Sequence, residues 1–165
     1  VIVLGWLVGL VVVAFAFVVL RGAPYVPTHR AQILHALDMF KLPAGSTIVD
    51  LGSGDGAFLK AAAARGYCVI GYELNPFLCV VSVLRCWRYR QRVKVVWRDF
   101  WLTPLPPETD GVFVFLAGPY LKRLNKKLAQ ERNPQRPLVV ISYGFLIPGK
   151  GQPERTEQAL HRYRY

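Results

Sequence analysis

Three observations predict an α/β fold built on a mostly parallel, doubly wound sheet of strand order 3-2-1-4-5, with an antiparallel strand added at one edge. Short β-branched runs alternate with helical stretches along the 165-residue chain. A glycine-rich turn, Asp50-Leu51-Gly52-Ser53-Gly54-Asp55-Gly56, joins an apolar strand to a helix. Two later strands end, as the first does, in an acidic residue, Glu73 and Asp99. Alternating strands and helices place the strands in parallel with right-handed crossovers. In such a sheet the ligand lies beyond the carboxyl ends of the strands, at the switch point beside the first.

Val1 to Leu20 form an apolar run without a charge. At about 1.5 Å per residue this run is roughly 30 Å long, the hydrocarbon thickness of a bilayer, so a transmembrane helix is expected there. Ala14-Phe15-Ala16 resembles a signal-peptide cleavage site, but the run has no basic segment before it and is too long for a signal peptide. Every Lys and Arg follows the run, beginning with Arg21, which orients the remainder toward the cytoplasm or a mitochondrial matrix. Gly5 and Gly9 form a G-x-x-x-G spacing that suits close helix packing and a homodimer through the membrane helix. Residues 21–28 read as a stiff linker, because Pro24 and Pro27 fix their own φ and extend the residues before them. The domain proper is expected over residues 29–165.

Thr28 is the expected N-cap of a helix over residues 29–40, with Ile33, Leu34, Leu37 and Phe40 on one face. Thr47-Ile48-Val49 leads the first strand, and residues 57–64, rich in alanine, form the helix after the glycine turn. The second strand spans residues 68–73. Asn75-Pro76 opens a helix over 77–90 whose core side is expected to be Phe77, Val80, Val81, Leu84 and Trp87. Its basic end, Arg85, Arg88, Arg90 and Arg92, suits the helix dipole, lipid phosphates or solvent. Strand three, residues 93–99, precedes a proline-rich segment (Pro104, Pro106, Pro107) that shortens or removes its covering helix. Strand four (111–117) runs into Gly118-Pro119-Tyr120 and a helix with Leu121, Leu124 and Leu128 inside and Lys122, Arg123, Lys126 and Lys127 outside. Strand five spans residues 138–145, and the alternating stretch 159–165 reads as the antiparallel edge strand. Glu73, Asp99, Gly118 and Phe145 then share the carboxyl edge.

Composition narrows the chemistry. One domain with a proper core fits this length, whereas a cofactor domain plus a substrate domain does not, which weighs against a dehydrogenase even though Gly52, Gly54 and Ala57 also satisfy G-x-G-x-x-A. Cys68, Cys79 and Cys86 are odd in number and never spaced C-x-x-C, so they read as small core residues in a reducing compartment. His29, His35 and His161 are scattered, and no metal is expected. The net charge of +11 calls for an anionic neighbour, either nucleic acid, an anionic bilayer or an acidic protein.

The acid at the end of strand one, the glycine turn, and the acids ending strands two and three resemble the Rossmann-like class I S-adenosyl-L-methionine-dependent methyltransferases. With Pro24-Tyr25-Val26-Pro27-Thr28 and Gly71-Tyr72-Glu73-Leu74-Asn75-Pro76 behind one hydrophobic helix, the chain resembles, over roughly residues 1–147, the small membrane-anchored protein-lysine methyltransferases. Members of that family modify the ATP synthase c subunit and the adenine nucleotide translocase. The resemblance implies cofactor contacts from Thr28, Asp50, Gly52, Gly54, Glu73, Asn75 and Asp99, with Glu73 on the ribose hydroxyls and Asp99 by the adenine. It also implies a lysine of a membrane protein as substrate, and Tyr25, Tyr120 and Phe145 are candidates for the aromatic pocket that would receive it. No residue reads as a general base. The loop Ala117-Gly118-Pro119-Tyr120 lacks the polar acceptor that base-methylating enzymes carry at this place, which disfavours nucleic acid. A membrane lipid or quinone, RNA, and a cofactor-binding scaffold without turnover stay open as alternatives.

Overall fold

The computed structural model describes residues 28–165 and, ahead of them, only residues 5, 6 and 9. The expected membrane helix, most of the linker and Tyr25 lie outside the described residues. Among those that are described, no helix is long and apolar enough to cross a membrane. The order of elements is α1 (Arg30–Phe40), β1 (Thr47–Leu51), α2 (Ala57–Ala64), β2 (Cys68–Glu73), α3 (Pro76–Arg85), a 3-10 turn (Trp87–Tyr89), β3 (Val93–Trp97), β4 (Thr109–Val114), α4 (Gly118–Glu131), β5 (Val139–Tyr143), β6 (Arg155–Glu157) and β7 (Leu160–Arg164).

The seven strands form one sheet in the order β3-β2-β1-β4-β5-β7-β6. β1 to β5 are parallel, and β7 runs antiparallel to both β5 and β6. The expected order is thus present, with one addition: residues 159–165 do not form the edge, because β6 pairs outside β7. A three-residue strand carrying Arg155 and Glu157 has no apolar alternation to reveal it.

Each face of the sheet carries its own apolar layer. On one, Phe58 of α2 stacks on Phe113 of β4 at 4.2 Å between ring centroids, and Phe40 of α1 packs beside it. On the other, Leu121, Leu124 and Leu128 of α4 cover Val112, Val114 and Val140. No helix follows β3, as the prolines require, and that segment is held down differently. Lys127, expected outside, is buried, and its ammonium donates to Thr103 O at 2.8 Å and to Glu131 Oε1 at 2.6 Å. Glu131 Oε2 accepts from Leu105 N at 3.0 Å, so α4 clamps the 99–105 segment through one ion pair.

Three local expectations are corrected. His29, not Thr28, caps α1, and it does so without a side-chain hydrogen bond. Cys68 is exposed, because it opens β2 at the amino-terminal rim of the sheet. The largest correction concerns α3, which buries Cys79 and Ser82, with Cys86 just beyond, rather than its large residues. A Cβ on Gly56 would lie 2.3 Å from Ser82 Oγ, so α3 approaches the start of α2 too closely for anything but small side chains between them. The helix also stops at Arg85 rather than running to residue 90, and the 3-10 turn lets Tyr89 fold back onto the core.

Replacing Lys127 by Ala removes two hydrogen bonds to a charged group and should cost about 2 kcal/mol. Thermal unfolding would read this as a lower Tm, with faster amide exchange confined first to residues 99–105.

Candidate active site

Three glycines let the chain reverse direction after β1. Gly52, Gly54 and Gly56 have φ of 95°, 54° and 78°, the left-handed region that L side chains rarely adopt. The turn is pinned to β2, since Gly52 N and Ser53 N both donate to Tyr72 O, at 3.0 and 2.9 Å. This approach requires Gly71, where a Cβ would lie 2.6 Å from Leu59 Cδ1 and 2.7 Å from Ser53 Oγ. A Cβ on Gly52, in contrast, would meet nothing within 4 Å, so the turn opens outward at that point.

Glu73 ends β2 beside this opening. Its Oε2 accepts from Gly54 N at 2.8 Å, and its Oε1 accepts from Leu74 N at 2.9 Å and Asn75 N at 2.8 Å. A carboxylate offers about four lone-pair directions, so Oε2 retains capacity for a ligand hydroxyl after these three donors are satisfied. Asn75 is fully buried, and its Oδ1 caps α3 by accepting from Phe77 N at 2.9 Å. Asn75 Nδ2 and Ser53 Oγ are buried without a hydrogen-bond partner. Buried polar atoms usually find one, and both lie on the residues that frame the glycine turn.

Asp50, 4% exposed, sits beneath the turn. Burial pushes its carboxyl well above the ordinary range, and the nearby charges of Glu73 and Asp55 push it further. Asp55 is drawn the other way in space, toward an ion pair with Arg85. With Asp55 paired to Arg85, Asp50 and Glu73 are, among the described residues, the carboxyls left without a cation at the turn, and a positive charge beside Asp50 would favour its ionised form.

The remaining expected residues separate into two groups. Asp99 lies two residues past β3, and its Oδ1 accepts from Trp101 N at 2.8 Å, which shapes the segment clamped by Lys127. Tyr120, in the first turn of α4, packs on Trp101 at 6.4 Å between ring centroids, and the Arg123 guanidinium lies over Trp101, 4.3 Å from its ring centroid. Phe145, 45% exposed, follows β5, and a Cβ on Gly118 would lie 3.8 Å from its ring. Tyr120 and Phe145 therefore both lie at the amino end of α4. Thr28 is half-buried two residues ahead of α1, and Tyr25 lies outside the described residues. Ser53 and Trp101 carry no sequence signal of their own: the first is hidden inside the glycine signature, and the second sits in a segment with no periodicity. No cluster of three His, Cys, Asp or Glu able to hold a metal occurs among the described residues.

This glycine turn, with an acid before it and an acid closing the next strand, on a 3-2-1-4-5-7-6 sheet, defines the class I methyltransferase fold. The solved structures agree: an RNA methyltransferase from Salinibacter ruber in complex with S-adenosyl-L-homocysteine superposes with a TM-score of 0.72 over 85% of this chain and 92% of that one, at 23% identity. Residues 50–155 match the ANTKMT methyltransferase domain, and the chain belongs to that family. Its relatives include the human lysine N-methyltransferase of the ATP synthase c subunit, 34% identical over 147 residues, which covers 86% of this chain and 62% of the human protein. The mouse adenine nucleotide translocase lysine N-methyltransferase is 37% identical over 111 residues, covering 66% of this chain and 48% of that protein. The chain thus spans less than two thirds of the length of these relatives.

Because the Asp50 carboxyl binds its proton more tightly in the folded state, losing that proton costs stability. The ligand-free protein should therefore weaken as pH rises from about 4, the unfolded carboxyl value, through the raised folded value. Asp50→Asn should flatten that part of the curve and raise Tm at neutral pH, while weakening affinity for a cationic ligand. Melting curves against pH, with and without ligand, check both effects.

Proposed function

We propose that this chain is an S-adenosylmethionine-dependent protein-lysine N-methyltransferase acting on a lysine of an integral membrane protein. The observation that carries the proposal is the buried, proton-hungry Asp50 under a glycine turn whose rim is closed by Glu73, in a chain of the ANTKMT family. S-adenosylmethionine supplies a methyl group made electrophilic by its sulfonium, and its positive charge and hydroxyls match what these residues offer.

Asp50 would face the cationic end of the cofactor at the turn, where a neighbouring positive charge favours the ionised carboxyl. Gly52 leaves the backbone open to close approach. Glu73 holds a ribose hydroxyl through the free direction of Oε2, while its three amide donors keep the carboxylate oriented. Ser53 Oγ and Asn75 Nδ2 are the buried groups free to complete the polar contacts. Asp99 bounds the adenine side, on a segment that Lys127 and Glu131 hold against α4.

Methyl transfer asks the protein mainly for alignment, since in-line attack needs the nucleophile at about 3 to 3.5 Å. The lysine must arrive neutral, against an ordinary pKa of about 10.4, and a water-poor pocket favours that form. Tyr120 and Phe145, joined by Tyr25 from the linker, line the approach in this reading. The ammonium proton passes to solvent before the amine enters, so no protein base is required. Ala117, which caps α4 without a side-chain hydrogen bond, leaves the loop after β4 with no acceptor for the amino group of a nucleic-acid base.

The apolar run 1–20 anchors the domain to one membrane in a single pass, with the catalytic side in the cytoplasm or the mitochondrial matrix, and Gly5 with Gly9 offers a dimer contact there. Confining enzyme and substrate to one surface raises their effective concentration, to about the mM range for a short tether. Family relatives named for lysines of the ATP synthase c subunit and the adenine nucleotide translocase support a substrate of that kind.

Tritiated S-adenosylmethionine incubated with the chain and membranes should label the protein fraction at lysine; label confined to lipid or to RNA would refute this reading. Glu73→Gln places a carboxamide NH2, a donor, where one of the backbone N–H groups now finds an acceptor. It should lower cofactor affinity at least about tenfold by calorimetry, a loss of about 1.4 kcal/mol. The methylation rate at low substrate should also climb close to tenfold per pH unit between about pH 7 and 9, as the neutral fraction of lysine does.

A further inference from the structure

The face of α3 turned away from the sheet is apolar. Phe77, Val80, Val81, Val83, Leu84 and Trp87 are all exposed, Leu84 by 68% and Trp87 by 62%. Trp97, 66% exposed at the end of edge strand β3, extends this face, because its indole N–H donates to Leu74 O at 2.9 Å, just ahead of the helix cap. Contiguous apolar surface of this kind marks an interaction site. Its composition follows from packing: the helix gives its small residues to Gly56 and the core, and the large ones have nowhere inward to go.

The charges around it are of one sign. Between Glu73 and Asp99 the chain contains no acid, while Arg85, Arg88, Arg90, Arg92, Lys94 and Arg98 all fall there. Asp55 pairs with Arg85, and among the described residues no other salt bridge reaches these six cations. The guanidinium of Arg90 lies 5.3 Å from the centroid of the exposed Trp87 ring, so cation and apolar surface are interleaved rather than segregated.

We infer that α3, the 3-10 turn and the edge of β3 form a docking surface for an anionic lipid bilayer. The apolar face of α3 enters the boundary between headgroups and acyl chains, Trp87 and Trp97 sit at the interface, and Arg88 and Arg90 reach the phosphates, whereas Arg85 and Arg92 are held by Asp55 and Gly66 O. Each basic residue near such a surface strengthens binding about fivefold. A second copy is a poor occupant, because a two-fold contact would set the same cations against each other. The surface begins at the candidate site itself: Glu73 and Asn75, which hold the glycine turn and cap α3, immediately precede it. Docking through this face would lay the β3 edge of the sheet, with the candidate site at its carboxyl end, along the headgroups, independently of how the apolar run at residues 1–20 is used. The inference rests on the reading that the chain works at a membrane.

Hydrogen exchange of the full chain, bound to vesicles of phosphatidylcholine alone or of phosphatidylcholine with phosphatidylglycerol, separates the outcomes. The anionic vesicles alone should slow amides of residues 77–92 at least about tenfold, while α4 on the opposite face is unchanged. L84E together with W87E should abolish that slowing without lowering Tm, since both side chains are exposed. R88E with R90E should abolish it too. Equal slowing on both lipids overturns the inference in favour of a cover that does not depend on charge, and slowing that tracks protein concentration overturns it in favour of a second copy. A chain that floats with vesicles but leaves α3 unslowed overturns this inference alone; one that floats with neither overturns the membrane reading as well.

Discussion

The carboxylate of Glu73 gathers three backbone N–H groups from two different turns, Gly54 from one and Leu74 and Asn75 from the other. Hydrogen bonds to a buried charged group contribute about 1.5 to 3 kcal/mol each, so this one side chain ties the loop after β1 to the loop after β2. The rest of the site depends on that tie. With Gly54 drawn to Glu73, the glycine turn lies across the carboxyl end of β2, Asp50 is closed beneath it, and Asn75 is positioned to start α3. Gly71 is the silent partner, because only a residue without Cβ lets Ser53 come down onto the strand.

Such an arrangement is costly in the absence of a ligand. Asp50 is buried near two other carboxyls, and the polar atoms around the turn that have no partner include Ser53 Oγ, Asn75 Nδ2 and Ser82 Oγ. Functional sites are where unsatisfied polarity is tolerated, and it is offset by the packing of a sheet covered on both faces. The clamp made by Lys127 and Glu131 shows the same economy: one ion pair replaces the helix that the prolines after β3 forbid.

α3 joins the candidate site to the exposed apolar surface. This helix carries the cap, Asn75, on the site side and a bare apolar face on the other. Its basic end, which suited dipole, lipid or solvent equally when read as sequence, acquires direction only once the apolar face is seen to be exposed beside it.

The order of the five parallel strands, the glycine turn and its flanking acids were legible in the sequence because each has a pattern with a local cause: β-branched runs for strands, positive φ for Gly52, Gly54 and Gly56, and an acid at or just past the carboxyl end of each of the first three strands. Membership in the family followed from the same residues. What the sequence could not decide was anything set by a distant neighbour. Phe77, Val80, Val81, Leu84 and Trp87 have the spacing of a core face, yet they are exposed, since the close approach of Gly56 to Ser82 turns the small residues inward. Lys127 looks like one more solvent cation in a basic row, yet it is buried because Thr103 O and Glu131 converge on it. Periodicity records which residues share a face of a helix; only the tertiary structure decides which face the neighbouring element can reach.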